Sequence, residues 1–250
     1  MQPTSETYKA LLAAGAPKEY QALIYRSTNS YNIYNNTKIV SASTRAAMLD
    51  SELTIGNCIA KELNLVLRNL DGMPTIPRMA QIKMRYRLND GTTQSEWRPK
   101  GTFFIDTRDE SFGGVLTIDA FDPMLKAEQP FTQPGEQGQW PRSDITVVNQ
   151  IASRIGVAVD ARTTAIITNN YQIPYPGIVL EDGTQKTGGG AYTCRELLGY
   201  IGSMYGGNWV ITDENKLRLI VLGDIPPGDT NLLVDQYGDY ITIGGYRIIV

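Results

Sequence analysis

An α+β fold is what the sequence predicts, with a β-barrel-like first domain and a middle domain of two helices on a small sheet. Three observations carry it. Apolar residues alternate with polar ones through much of residues 21–121, two stretches after residue 142 switch to helical spacing, and a proline- and glycine-rich run separates the two regions.

The chain opens with a short helix over Ser5–Ala14, because Tyr8, Leu11 and Leu12 share a face and Gly15 with Pro17 stops it. Strands are expected from Gln21 on. Leu63, Leu65 and Leu67 alternate with Asn64 and Val66, and Ile82, Met84, Tyr86 and Leu88 alternate with Lys83, Arg85 and Arg87. The latter run has one apolar and one cationic face. Thr102–Ile105 and Val115–Ile118 read as two further strands, joined by a hairpin connection spanning Thr107–Ser111 and Gly113-Gly114. Asp122-Pro123 then has the composition of a helix start, with Asp as N-cap and Pro in the first turn.

Pro130, Pro134, Gly135, Gly138 and Pro141 crowd residues 129–141 and mark a boundary or an exposed excursion. Beyond it, Ser143-Asp144 can cap a helix whose Ile145, Val148, Ile151, Ala152 and Ile155 recur at helical spacing up to Gly156. Thr193 and Glu196 have the spacing of a capping box ahead of Leu197, Leu198 and Ile201, with Gly206-Gly207 ending that second helix. Trp209 and Ile211, then Leu217, Leu219 and Val221, alternate about Thr212–Lys216 as a hairpin packed under the helix. Two short strands about Gly244-Gly245 follow. The expected domains are therefore 1–127, β-rich with the short N-terminal helix; 128–234, α+β; and 235–250, the start of a further and incomplete β unit.

Composition narrows the function. The 250 residues contain no histidine, which removes the commonest general base, metal ligand and pH switch. The net charge of −3 lacks the basic excess of a nucleic-acid-binding domain, so no specific nucleic-acid binding is expected. No apolar run is long enough for a membrane span, and no secretory leader is evident, so synthesis is placed in a cytoplasm. Cys58 and Cys194 lie far apart in apolar contexts and read as two reduced, buried thiols.

No constellation points to catalysis, a cofactor or a metal. Gly188-Gly189-Gly190 precedes a helix but lacks the Lys-Ser/Thr of a phosphate loop, so it reads as a loop feeding a capped helix. Asp106 with Asp109-Glu110, and Asp119 with Asp122, could be imagined as acid–base pairs, yet they fall at strand ends and turns where acids serve as caps. The tyrosines, notably Tyr31 with Tyr34 and Tyr171 with Tyr175, could stack sugars or bases, or belong to interfaces and core. Lys83, Arg85 and Arg87, continued by Arg98 and Lys100, form a cationic face that is either solvated or turned to an acidic neighbouring subunit.

Two sequence blocks carry a resemblance. Trp97-Arg98-Pro99-Lys100-Gly101-Thr102-Phe103-Phe104-Ile105-Asp106, followed by Val115-Leu116-Thr117-Ile118-Asp119-Ala120-Phe121-Asp122-Pro123-Met124-Leu125-Lys126-Ala127, resembles the N-terminal region of tail proteins encoded by prophages of Gram-positive bacteria. Ser51–Cys58 and Gly206–Ile211 resemble two further passages of that family. The resemblance implies a subunit of the baseplate hub of a phage or phage-like tail, with tube-like barrel domains about an α+β domain. It also implies a homotrimer in which two barrels per subunit match a hexameric tail tube; here the second barrel would begin near residue 235. Implied partners are the tail tube or distal tail protein, the tail tip or spike protein and the tape measure protein, on a virion tail assembled in the bacterial cytoplasm. No enzymatic activity is expected. The alternatives are a cell-wall carbohydrate-binding module of a tail tip and a tail-associated cell-wall hydrolase.

Overall fold

The computed structural model describes residues 4–46, 54–68, 76–111, 114–131, 139–176, 178–179, 185–186, 192–221, 242–243 and 246–247. The fold is α+β and divides into two compact units. The first comprises Met1–Ala46, Ala60–Leu125 and Ile211–Lys216; the second comprises Ala47–Ile59, Lys126–Val210 and Leu217–Val250.

Helix α1 (Glu6–Ala13) opens the first unit, and the Ser5 hydroxyl caps it by accepting from the Tyr8 amide at 3.0 Å. Seven strands follow: β1 (Lys18–Ser27), β2 (Ser30–Asn35), β3 (Ile39–Arg45), β4 (Glu62–Arg68), β5 (Gln81–Leu88), β6 (Arg98–Ser111) and β7 (Val115–Phe121). They form one antiparallel sheet in the order β2-β1-β5-β6-β7-β4-β3. Strand β6 is longer than its sequence suggests. Residues 107–111, expected as hairpin connection, continue the ladder after a bulge between Ile105 and Thr107. The bulge resets the side-chain alternation, and the polar Thr-Arg-Asp-Glu run hides the strand from a reading based on apolar periodicity.

The edges β2 and β3 are consecutive in the chain, joined by residues 36–38, where the Lys38 amide donates to the Asn35 carbonyl at 2.9 Å. A flat sheet of this order would hold its two edge strands about 29 Å apart, six strand spacings. Four Cα–Cα steps reach at most about 15 Å. The sheet must therefore coil until the ends of its edges nearly meet. Among the described residues no β2–β3 ladder closes it, so the pairing leaves an open, coiled sheet.

One core fills the coil, assembled from Ala22, Ile24, Tyr34, Leu63, Leu65, Leu67, Ile82, Met84, Phe103, Ile105, Ile118 and Ala120. The alternating strands β4 and β5 each place their apolar residues there. Tyr8 and Leu11 of α1 pack with Leu88, Tyr86 and Ala16 as a separate small cluster. Asp122 begins a 3-10 helix (Pro123–Glu128) rather than an α-helix; its carboxylate accepts from the Met124 amide at 2.9 Å and the Lys61 amide at 3.0 Å.

The second unit contains β8 (Arg142–Ser143), α2 (Asp144–Ile155), β9 (Ala158–Val159), α3 (Ala161–Ile166), β10 (Gln172–Ile173), β11 (Ile178–Val179), β12 (Gln185–Lys186) and α4 (Cys194–Met204). The hairpin β13 (Gly207–Ile211) and β14 (Lys216–Val221) and the pair β15 (Thr242–Ile243) and β16 (Tyr246–Arg247) follow. Strands β13, β14 and β9 form a three-stranded sheet in that order. Helices α2 and α4 touch and bury Val147, Val148, Ile151, Ile155, Leu197, Leu198 and Ile201. Gly156, at φ 80°, ends α2 in the left-handed conformation, and the capping box of Thr193 and Glu196 is present on α4. At the start of α2 the Ser143 hydroxyl bonds the Thr146 hydroxyl at 2.7 Å and caps no amide.

Helix α3 has no counterpart in the apolar periodicity. Its start is Asp160, whose carboxylate accepts from the Arg162 amide at 2.9 Å and from the guanidinium at 2.9 and 2.8 Å. The bond to Arg162 holds the Asp160 carboxyl at about 2. Because the folded value lies below the unfolded one, this contribution is complete above the ordinary Asp range, near pH 4, and disappears as pH falls through about 2. An acid titration followed by circular dichroism should show Asp160→Asn losing less stability than the parent between those limits. Parallel curves would contradict it.

The expected third unit at 235–250 falls mostly outside the described residues, Gly244-Gly245 among them; within it, β15 and β16 pair antiparallel, Ile243 opposite Tyr246.

Candidate functional site

The open sheet carries an organised polar face on its outer side. Register places Glu19, Gln21 and Leu23 of β1 opposite Arg87, Arg85 and Lys83 of β5, on the face away from Ala22, Ile24, Ile82 and Met84. Arg85 donates through Nε and Nη2 to Gln21 Oε1 at 3.0 and 2.7 Å. Arg87 pairs with Glu19 at 2.7 Å, and that bond, with the Asn89 amide, holds the Glu19 carboxyl below its ordinary range. Both guanidinium groups lie over the Trp97 ring, 4.7 and 4.5 Å from its centroid. Lys83 lies 5.0 Å over Tyr25, which in turn packs on Tyr31 at 5.1 Å. Tyr31 and Ile33 on edge strand β2 are 45% and 50% exposed, large apolar groups beside fixed cations. Among the described residues neither Lys83 nor Arg85 has an acidic partner.

The rest of the expected basic stripe does not join this face. Arg98 pairs in register with Tyr86, on the core side, and its guanidinium lies 4.6 Å over the Tyr8 ring with only 8% exposure. Tyr8 and Tyr86 share a hydroxyl–hydroxyl bond of 3.2 Å, which raises the Tyr8 phenol above its ordinary value. Lys100 reaches Asp213 at 3.5 Å, as Lys61 does at 2.6 Å. A bulge between Met84 and Arg85 breaks the β5–β6 alternation, which is why one sequence stripe divides in space.

The acids of the two imagined pairs sit in different environments. Asp122 is 2% exposed and spends its carboxylate on two backbone amides, whereas Asp119 faces outward on β7, bonded by Asn64 at 2.7 Å and Thr107 at 3.1 Å. Asp106, Asp109 and Glu110 are exposed along β6. No cluster of three or more metal-ligating side chains occurs among the described residues. Cys58 and Cys194 are buried and free; burial pushes the Cys58 thiol up to about 12 and raises that of Cys194, disfavouring the thiolate form. Gly188-Gly189-Gly190 lies outside the described residues.

The tyrosines separate by environment. Tyr34 is in the core, Tyr175 packs edge-on against Trp140 at 6.1 Å, and Tyr171 packs on Tyr205 at 5.6 Å while remaining 41% exposed. A buried carboxylate that sequence reasoning read only as a helix cap organises this corner. Asp144, fully buried, accepts from the Ile145 amide at 2.7 Å, the Tyr171 amide at 3.2 Å and the Tyr205 hydroxyl at 2.5 Å. Burial and this carboxylate raise the Tyr205 phenol. Nothing in the spacing of Asp144, Tyr171 and Tyr205 signals their meeting.

No helix among the described residues is long and apolar enough to cross a membrane. No family model matches the chain, and no curated protein matches it. Among solved structures, the chain is similar to the 43 kDa tail protein of prophage MuSo2 from Shewanella oneidensis, at 16% identity and a TM-score of 0.48, over 91% of this chain and 61% of that one. It is also similar to the tail protein from Neisseria meningitidis MC58, at 11% identity and a TM-score of 0.44, over 89% of this chain and 53% of that one. The chain thus spans less than two thirds of the length of either.

Proposed function

We propose that this chain is a structural subunit of a phage or phage-like tail baseplate hub, whose first unit takes part in a ring connecting the tail tube to the tail tip. The observation that carries the reading is the coiled sheet whose edges, β2 and β3, are unpaired among the described residues, beside an outer face of stacked cations and exposed apolar groups. Unpaired edges are liabilities in a solitary protein and docking surfaces in an assembly. The residues that resemble prophage tail proteins, Trp97–Asp106 and Val115–Ala127, fall at β6, at β7 and in the 3-10 helix after it. A tube-like barrel completed by neighbouring copies, in a homotrimer placed in the virion tail, follows from that reading. The tail tube or distal tail protein, the tip or spike protein and the tape measure protein are the partners it calls for. Its work is burial of surface, with no reacting group.

Native mass measurement and negative-stain imaging of the full chain test the proposal. A ring of three copies is the expected result; a monomer at high concentration and low ionic strength would overturn it. Retention on purified cell walls that Tyr171→Ala abolishes would favour a carbohydrate-binding module instead, and clearing of those walls would favour a hydrolase.

A further inference from the structure

The outer side of the sheet around this one core carries two charged patches, one on β1–β5 and one on β6–β7–β4. Their charges are opposite. The β1–β5 half presents Lys83 and Arg85, which belong to no ion pair among the described residues, with Arg87 already bound to Glu19. The β6–β7–β4 half presents Asp109, Asp119 and Glu62 on the side away from Leu63, Leu65 and Ile118. None of these three acids belongs to an ion pair among the described residues. Arg45 and Arg68 lie at strand ends of that half and offset it in part, leaving Asp109 and Asp119 as its centre.

We infer that these two faces are opposite poles of a head-to-tail contact between copies of this chain, the Lys83–Arg85 face of one copy docking on the Asp109–Asp119 face of the next. The inference rests on the assembly reading above and names its contact. Both poles are held ready for it. Gln21 and Trp97 fix the Arg85 guanidinium, and Asn64 and Thr107 fix the Asp119 carboxylate, so little side-chain freedom remains to be lost on docking. Tyr31 and Ile33 beside the cationic pole supply apolar area to bury. The net charge of −3 opposes self-association only weakly. Different patches meet in such a contact, so it propagates and closes into a ring when the rotation between copies allows, or runs on as a fibre when it does not.

Charge reversal on the full chain tests this, with association measured by sedimentation at low and high ionic strength and folding checked by circular dichroism. The parent should associate, and high salt should weaken it. K83E/R85E and D109K/D119K should each weaken association at low salt by about a hundredfold or more, and the quadruple variant K83E/R85E/D109K/D119K should restore it. Reversals that associate like the parent, or a quadruple variant that fails to recover, overturn the inference while leaving the assembly reading intact. A parent that stays monomeric in every condition overturns both. Should the reversals fold poorly, the neutral pairs K83Q/R85Q and D109N/D119N serve instead. They should flatten the salt dependence of association, and an unchanged slope overturns the inference.

Discussion

Trp209→Ala should lower the unfolding free energy by about 4 kcal/mol, the range for deleting a large aromatic from a packed core. Trp209 is 1% exposed and is anchored at both ends. Its indole Nε1 donates to the Leu198 carbonyl of α4 at 2.6 Å, and its amide donates to the Asn57 carbonyl at 2.8 Å. The ring reaches that carbonyl because α4 carries Gly202 there; a Cβ on residue 202 would stand 2.9 Å from both Nε1 and the Gly207 carbonyl. Removing the ring therefore leaves a cavity bounded by helix backbone, which cannot collapse side chain by side chain. Trp209→Phe keeps most of the ring and loses the indole bond, so it should cost about 1–2 kcal/mol. Urea unfolding followed by circular dichroism measures both. A loss under about 1 kcal/mol for the alanine variant would mean that the site repacks, contrary to this account.

Gly56→Ala should cost about 3 kcal/mol or more, from two independent causes. Gly56 sits at φ 84°, where a Cβ costs about 1–2 kcal/mol against the backbone itself. That Cβ would also stand 2.5 Å from the Gly199 carbonyl of α4 and against the Ser203 hydroxyl. The hydroxyl can rotate away, but the carbonyl belongs to the helix. Reciprocally, a Cβ on Gly199 would stand 3.0 Å from the Gly56 carbonyl. The segment is held there by three bonds to β13: Gly56 N to Gly207 O at 3.0 Å, Asn57 N to Asn208 Oδ1 at 2.8 Å, and Trp209 N to Asn57 O. Adding Ser203→Ala to the variant should recover little. Full recovery would show that the hydroxyl, and not the backbone, sets the cost.

The same residues show where sequence reading succeeds and where it stops. Strand β5 and helix α2 are legible because each buries a face that repeats at its own period, and the capping box at Thr193 is legible because its partner Glu196 lies three residues away. Helix α3 carries no periodic face, and the far end of β6 is polar, so neither shows in the apolar pattern. Gly199 and Gly202 lie within α4, where each costs about 1 kcal/mol of helix propensity. Their use is visible only once Gly56 and Trp209 are packed against them. The basic stripe is a parallel case. Lys83, Arg85 and Arg87 share a face because a strand alternates, while a bulge sends Arg98 to the core side.

What the sequence determined by itself is local: the α+β class, the capping box of Thr193 and Glu196, the Gly156 helix end, the alternating strands, and the absence of histidine from any chemistry. Those properties depend on residues within a few positions of each other, where spacing along the chain equals spacing in space. Tertiary structure alone decided that the first and last strands of the large sheet are chain neighbours, that the sheet must coil between them, and that its outer cations and acids gather on different strands. Strand order and bulge position are set by pairings between residues tens of positions apart, and the periodicity of any one segment carries no record of them.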